Sequence, residues 1–220
     1  MLEIFGRRNS SNVIPVMWAI GEIDLPHIRH NIGGTFGGDT TPEYLEMNPN
    51  GLIPVLKEND FVLYESHAIL RYLCRTHSEG QLYPADSQQL ALAEQWMEWH
   101  KFHFMMNLMP VFVNLVRTPE AKRDMSLVDQ KIDATNQQLK ILDQHLANRS
   151  YILGHQFSMA DIPSGALIYK YYNLDIPRID LPNIEAWYQR LLERPAYQQH
   201  AAFAFGRNPV EWVRLEKAGA

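Results

Sequence analysis

The stretch from residue 48 to residue 73 constrains the fold of this chain more than any other. Two apolar runs, residues 52–56 and 61–64, are separated by only four residues, 57–60. So short a connection allows the two strands to pair only as an antiparallel hairpin. A helical pattern over residues 66–75 follows directly. The hairpin and this helix must therefore belong to one compact unit.

The chain before this hairpin alternates strands and helices. Residues 2–5 and 27–32 are predicted strands, and residues 13–23 carry apolar side chains at helical spacing. A short helix is predicted to begin at Pro42, a residue that is favoured in the first turn. The order strand, helix, strand, helix, strand, strand, helix predicts an α/β domain over residues 1–79.

Residues 80–86 break this pattern and are predicted to be a linker. No strand pattern follows it. Helical spacing is instead predicted over residues 88–116, 125–147, 159–172, 184–192 and 195–204. Pro110 is expected to interrupt the first of these helices, and Pro163 to kink the third. Residues 87–220 are therefore predicted to form an all-α domain.

Composition excludes several classes of function. The net charge of −5, without a basic tract, argues against binding to nucleic acid or to an acidic membrane. No run of about 18 apolar residues predicts a membrane span, and the first residues lack the apolar core of a signal peptide. Cys74 is the only cysteine, so no internal disulfide is expected. These features favour a cytoplasmic location.

Two residues in the opening stretch have more than one interpretation. Pro54 follows Ile53 in an apolar run. A proline there either marks an edge strand or a bulge, or belongs to a cis peptide bond. Only about 5–6% of such bonds are cis, so the proline alone favours trans. Ser66 either caps its helix or stands at a helix N-terminus that binds an anion. The backbone of Ile53 beside such an anion site would suit an extended peptide-like ligand with a carboxylate.

In combination, these residues resemble those of the cytosolic-type glutathione transferases, in particular the bacterial-like, Ser-type members. That family has a thioredoxin-like α/β N-terminal domain and an all-α C-terminal domain. In the family, the residue before a cis-proline pairs with the cysteinyl backbone of glutathione. Ile53 stands at this position, before Pro54. An acidic-Ser pair, matched by Glu65 and Ser66, binds the γ-glutamyl end.

The resemblance extends into the helical domain. Residues 157–162 resemble the folding motif of the family. Ser158 and Asp161 are predicted there as N-cap and third helical residue of a capping box. The resemblance further implies a homodimer, glutathione as co-substrate, no metal, and a role in detoxification.

The residue that activates the glutathione thiol follows the first strand in this family and is Tyr, Ser, Asn or Cys. The first 40 residues contain neither Tyr nor Cys. Four residues in the loop after the first strand have side chains that can donate a hydrogen bond: Asn9, Ser10, Ser11 and Asn12. The resemblance points first to Ser10 and then to Asn12, although this loop also has to cap the following helix.

Other contacts are predicted less directly. Asn50 and His67 are candidate glutathione contacts because they flank the matched positions. Candidates for the second-substrate site, each of which also suits the core, are Phe102, His103, Met106, Phe112, Tyr169 and Trp212. His100 and His103 are spaced like helical metal ligands, but no further ligand cluster accompanies them, so no metal site is predicted.

The sequence therefore predicts a glutathione transferase in which the glutathione thiolate attacks a hydrophobic electrophile. One alternative is a glutathione-dependent disulfide or peroxide reductase that uses the same site. Another is a non-catalytic glutathione-binding or regulatory protein with this fold.

Overall fold

The computed structural model describes residues 1–219, so residue 220 of the predicted helical domain lies outside the described residues. The N-terminal domain contains β1 (Leu2–Phe5), α1 (Val13–Ile23), β2 (His27–His30), α2 (Pro42–Met47), β3 (Val55–Glu58), β4 (Phe61–Tyr64) and α3 (Ser66–His77). The strand order is β2-β1-β3-β4, with β1 parallel to β2 and antiparallel to β3. This mixed sheet with its helices confirms the predicted thioredoxin-like fold.

Strand β3 begins later than the apolar pattern predicts. The predicted strand over residues 52–56 and the turn over residues 57–60 are both displaced, because the hairpin turns at Asn59 and Asp60. Asn59 has a φ of 55°, the left-handed conformation that tight hairpin turns require. Ile53 and Pro54 therefore lie in a loop before the strand. Their peptide bond is cis, as the family resemblance implies and contrary to the expectation from the proline alone.

The helical domain contains α4 (Ser87–Trp99), α5 (Met106–Phe112), α6 (Met125–Leu146), α7 (Asp161–Asn173), α8 (Pro182–Leu192), α9 (Pro195–His200) and α10 (Pro209–Ala218). Helix α10 was not predicted, and α9 is shorter than the predicted helix. In the described part of the chain, all four strands precede α3. No helix within residues 1–219 has the length and apolar character needed to cross a bilayer.

The helix expected to be interrupted at Pro110 departs from α-helical geometry in two π-helical segments, one before and one after this proline. One segment, His100–Met105, joins α4 to α5, and the other, Val113–Arg117, follows α5. Pro110 lies inside α5, where it cannot donate a hydrogen bond to the preceding turn. The wider π turns are compatible with a proline inside the helix. They also change which side chains lie on each face of the helix.

The two domains share helix α1. Val13, Val16 and Ile20 pack into the core beneath the sheet. Trp18 points the other way, into the helical core, where its ring centroid lies 4.6 Å from that of Tyr197. The Trp18 ring also lies directly against α7 at Gly165, where a Cβ would be only 2.8 Å from the ring. Glycine at this position therefore makes room for the tryptophan. Helix α1 is therefore fixed on both sides.

A buried carboxylate organises the start of α7. Asp161 is inaccessible to solvent and accepts hydrogen bonds from the backbone N–H groups of Ile152 (2.9 Å) and Ser158 (3.0 Å). It also accepts one from Nε1 of Trp187 in α8, at 3.0 Å. Burial raises the pKa of Asp161 to about 6, so the side chain is an ionised acceptor at neutral pH.

This arrangement corrects two predictions about the folding motif. The helix begins at Asp161 itself, so Ser158 precedes the N-cap and Asp161 is the first helical residue rather than the third. The bond from Ser158 N–H to the Asp161 carboxylate, one half of a capping box, is nevertheless present. Pro163 lies in the first turn, where N–H groups have no acceptor within the helix, so it gives no reason for a kink.

We expect Asp161→Ala to lower the free energy of unfolding by about 3 kcal/mol or more, because four buried donors, including the Ser158 hydroxyl, would lose their acceptor. Denaturant unfolding followed by tryptophan fluorescence measures the change. The matched control is Asp133→Ala, which removes an exposed carboxylate from α6 and should change stability by less than about 0.5 kcal/mol. Equal stability of the two variants would contradict the structural role of Asp161.

Candidate active site

A cavity of about 430 Å³ lies between the two domains. One wall comes from the start of α3 and from the residue before α1, and the other from the first π-helical segment and α5. We call it the larger cavity. The residues that line it are Asn12, Glu65, Ser66, His67, Lys101, Phe102, Met105, Met106, Met109 and Pro110. The site thus brings a polar helix N-terminus together with a methionine-rich apolar wall.

The N-terminus of α3 is open towards a ligand. Ser66 is the first helical residue, and the hydroxyl makes no capping bond, so its interpretation as a plain N-cap does not hold. Glu65 precedes it with a φ of 70°, a conformation that costs a non-glycine residue about 1–3 kcal/mol and is concentrated at functional sites. The first N–H groups of the helix carry partial positive charge. This end of α3 can therefore bind a carboxylate.

Ile53 lies at the same end of the hairpin as Glu65. Val55 pairs with Tyr64, so the residues just outside this pair are neighbours across the hairpin. The Leu52 carbonyl accepts bonds from the Tyr44 hydroxyl (2.8 Å) and the Asn48 amide (2.7 Å), which anchor the loop. Within residues 1–219, the N–H and carbonyl groups of Ile53 itself take part in no hydrogen bond. They can pair with the backbone of an extended ligand.

The two additional glutathione candidates differ in position. Asn50 is exposed, and its side-chain amide donates to the Asn48 side chain at 2.9 Å, outside both cavities described here. His67 is buried, lines the larger cavity and lies 5.6 Å from the His100 ring. Burial lowers the pKa of His67 to about 4, and its Nδ1 has no partner in the described chain. His67 is therefore neutral near pH 7.

A second cavity, of about 150 Å³, adjoins the first. This smaller cavity shares Asn12, Met105 and Met109 with the larger one. Its remaining lining residues are Arg7, Asn9, Ser10, Ser11, Phe112, Arg117 and Trp212. The loop between β1 and α1 therefore forms the boundary between the two cavities.

The donors in this loop are not equivalent. The Ser10 oxygen accepts the Asn12 N–H at 3.3 Å, so the proton of its own hydroxyl remains available for an acceptor. Ser11 instead donates to the sulfur of Met109 at 3.4 Å. The Asn12 side chain is exposed and lines both cavities, whereas Ser10 lines only the smaller one. Ser10 and Asn12 both remain predicted thiol donors.

The structure places four of the six second-substrate candidates on a cavity wall. Phe102 and Met106 line the larger cavity, and Phe112 and Trp212 line the smaller one. His103 is exposed and lines neither cavity. Tyr169 also lines neither and packs against Phe205, with ring centroids 6.2 Å apart.

Two charged lining residues escaped the sequence reasoning. Lys101 comes from the first π-helical segment and Arg117 from the second. The ordinary 3.6-residue periodicity does not reveal which side of the helix such residues face. Within residues 1–219, no group of three or more His, Cys, Asp or Glu side chains is arranged to hold a metal ion.

Comparison with known proteins explains this geometry. Residues 9–76 match the family model for the glutathione S-transferase N-terminal domain, and residues 104–195 match that for the C-terminal domain. Glutathione S-transferase GstB of Escherichia coli K12 is 34% identical over 201 residues, which cover 90% of this chain and 97% of that protein. This chain belongs to the glutathione S-transferase family.

Other glutathione S-transferases support the same assignment. Glutathione S-transferase 3 of Zea mays is 32% identical, with 91% of this chain and 93% of that protein covered. The crystal structure of a theta class glutathione S-transferase from Xanthomonas axonopodis pv. citri, with glutathione bound, is 40% identical and superposes with a TM-score of 0.90. That comparison covers 93% of this chain and 99% of the Xanthomonas chain. The resemblance stated from the motifs is confirmed.

We expect Ser66→Ala to weaken glutathione binding about 10- to 100-fold, because a hydroxyl bonded to a carboxylate contributes about 1.5–3 kcal/mol. Isothermal titration calorimetry measures this loss directly. Ser87→Ala is the matched control, since Ser87 is also the first residue of a helix, α4, and lines neither cavity. Equal affinity in both variants would remove Ser66 from the glutathione site.

Proposed function

We propose that this glutathione S-transferase binds glutathione along the Ile53 loop and the start of α3, and transfers it to an electrophile held between the domains. The observation that carries the proposal is the free backbone of Ile53 beside the uncapped N-terminus of α3. A peptide-like ligand with a carboxylate satisfies both. We retain the division into residues 1–79, the linker 80–86 and residues 87–220 as part of this proposal.

In this mode of binding, Glu65 and Ser66 hold the γ-glutamyl end of glutathione, and Ile53 pairs with the cysteinyl backbone. The sulfur then faces the loop that carries Ser10 and Asn12. A free thiol has a pKa of about 8.5, and each unit of lowering requires about 1.36 kcal/mol of preferential stabilisation of the thiolate. One or two hydrogen bonds donated to the sulfur are sufficient for a shift of that size.

The chemical step is a displacement. The thiol proton leaves to solvent, and the thiolate sulfur forms a bond to the electrophilic carbon. The bond from that carbon to its leaving group breaks, and the leaving group departs with the electron pair. The apolar wall of methionines adapts to substrates of different shape, since unbranched Met side chains repack readily.

We expect Ser10→Ala to lower the kcat/KM for conjugation of 1-chloro-2,4-dinitrobenzene about 10- to 100-fold, and Asn12→Ala to lower it less. The pKa of bound glutathione, followed by the absorbance of its thiolate, should rise by about one unit or more in Ser10→Ala. Ser126→Ala, an exposed serine at the start of α6, is the control. Unchanged turnover in both loop variants would contradict this mechanism.

The same measurements distinguish the two alternatives. A reductase would act faster on a mixed disulfide than on the chloro-aromatic compound. The chain supplies no reactive thiol of its own for such a reaction, because Cys74 is buried and burial raises its pKa to about 12. A non-catalytic binding protein would bind glutathione without lowering the pKa of its thiol.

A homodimer in the cytoplasm completes the proposal. Support for the dimer comes from large apolar side chains that remain exposed on neighbouring elements. Phe61 on β4 is 45% exposed although it packs against Tyr72 of α3, and Leu92 on α4 is 43% exposed. Ion pairs from Arg71 to Glu94 and Glu98 join α3 to α4. Sedimentation equilibrium at micromolar concentration tests the dimer, and a monomeric mass would refute it.

A further inference from the structure

The smaller cavity is lined by two arginines that both lie close to one aromatic ring. The guanidinium carbon of Arg7 lies 5.6 Å from the Trp212 ring centroid, and that of Arg117 lies 5.5 Å from it. Trp212 is buried, so its ring holds both cations at the wall of the cavity. This is an unusual lining for a site expected to accept purely apolar molecules.

The positive charge around this cavity is only partly compensated. Arg7 forms an ion pair with Glu216 at 3.2 Å and donates to the Asn9 side-chain oxygen at 2.7 Å. In the described chain, the Arg117 guanidinium makes neither an ion pair nor a hydrogen bond, and the residue is exposed. Behind the wall, the buried ammonium group of Lys170 lies 5.2 Å from the Phe112 ring centroid. None of the residues that line the smaller cavity is acidic.

Two buried side-chain nitrogens that line this cavity are donors without a partner. The Nδ2 atom of Asn9 has no hydrogen-bond partner in residues 1–219, whereas the Asn9 oxygen accepts from Arg7. The Nε atom of Arg7 is likewise buried and has no hydrogen-bond partner in the described residues. A buried donor without a partner is unfavourable, and an acceptor on a ligand would satisfy it. Donors and cations together therefore select a negatively charged group.

We infer that the smaller cavity binds a carboxylate on the second substrate, so that this transferase acts on small carboxylic acids that carry a leaving group. The inference rests on the proposed function and names its substrate class. A volume of about 150 Å³ has room for about five water-sized groups, if a water occupies about 30 Å³. Larger acids can extend into the adjoining larger cavity.

The electrostatics of the reaction explain why cations are required at this place. The glutathione thiolate and a carboxylate are both negative, so their approach is unfavourable in water. Arg7 and Arg117 offset this repulsion within the smaller cavity, next to the Ser10 loop. The sulfur then bonds to the carbon that bears the halide, and the carbon–halogen bond breaks. The halide leaves with the electron pair, and the thiol proton has already passed to solvent.

Iodoacetate and iodoacetamide provide a matched pair of substrates, because they have nearly the same shape and the same leaving group. Conjugation with glutathione is measured for each after subtraction of the uncatalysed rate. The chain's own cysteine does not interfere, because Cys74 is buried. We expect the native protein to show a higher kcat/KM for iodoacetate, although charge repulsion disfavours the acid in solution.

Arg117→Met tests the origin of this preference, because it removes the charge and keeps much of the apolar side chain. We expect the ratio of kcat/KM for acid over amide to fall about tenfold or more, the effect of losing a charge-assisted contact. Arg214→Met is the control, since Arg214 is exposed on α10 and does not line the cavity. The ratio should not change in that variant.

The outcomes separate the inference from the proposed function. Conjugation of iodoacetamide and of 1-chloro-2,4-dinitrobenzene, with no preference for the acid and no change of ratio in Arg117→Met, would overturn the inference and leave the transferase intact. Failure of the native protein to conjugate any of the three electrophiles would overturn both. Arg117→Met should change the melting temperature little, because Arg117 is exposed and its contact with the Trp212 ring is a weak one at such a site.

Discussion

The packing of α1 against both domains is the constraint on which the rest of this structure depends. Trp18 inserts into the helical core against Tyr197, while Val13 and Ile20 pack under the sheet. At the far end of the helix, Arg194 holds the Glu22 carboxylate through two bonds of 2.6 and 2.8 Å. The loop that precedes α1 carries the candidate thiol donors. Because α1 cannot move relative to either domain without breaking a core, that loop keeps a fixed position relative to both cavities.

The opposite wall of the site is shaped by departures from α-helical geometry. The π-helical segments on either side of α5 contribute Lys101, Met105 and Arg117 to the cavities. A regular helix of the same sequence would direct these side chains differently, because each π turn contains more residues. The same feature of the backbone therefore places both the charged side chains and the methionine side chain in the cavities. Such π segments are often found at functional sites.

The sequence was most informative where a local rule has a single outcome. The short hairpin connection requires antiparallel pairing, and the motifs around Pro54 and Ser66 led to the correct family.

Prediction failed where tertiary contacts decide the result. The polar turn residues Lys57 and Glu58 joined β3 because β1 pairs with them. The start of α7 moved because distant donors in Ile152 and Trp187 hold Asp161. The basic lining around Trp212 was not visible because Arg7 and Arg117 lie far apart in the sequence and meet beside this ring only in three dimensions.

The contact between α10 and the turn at Gly34 has a consequence for how this enzyme can diversify. Glu216 accepts the Thr35 N–H at 2.9 Å and also pairs with Arg7, so the last helix is fastened to the N-terminal domain beside the site. Trp212 on the same helix lines the smaller cavity and not the larger one. Substitutions at Trp212 can therefore reshape the smaller cavity without altering the residues at the start of α3. Substitutions at Glu216 would in contrast also disturb Arg7 and the turn at Gly34, so positions on this one helix differ in how freely they can change.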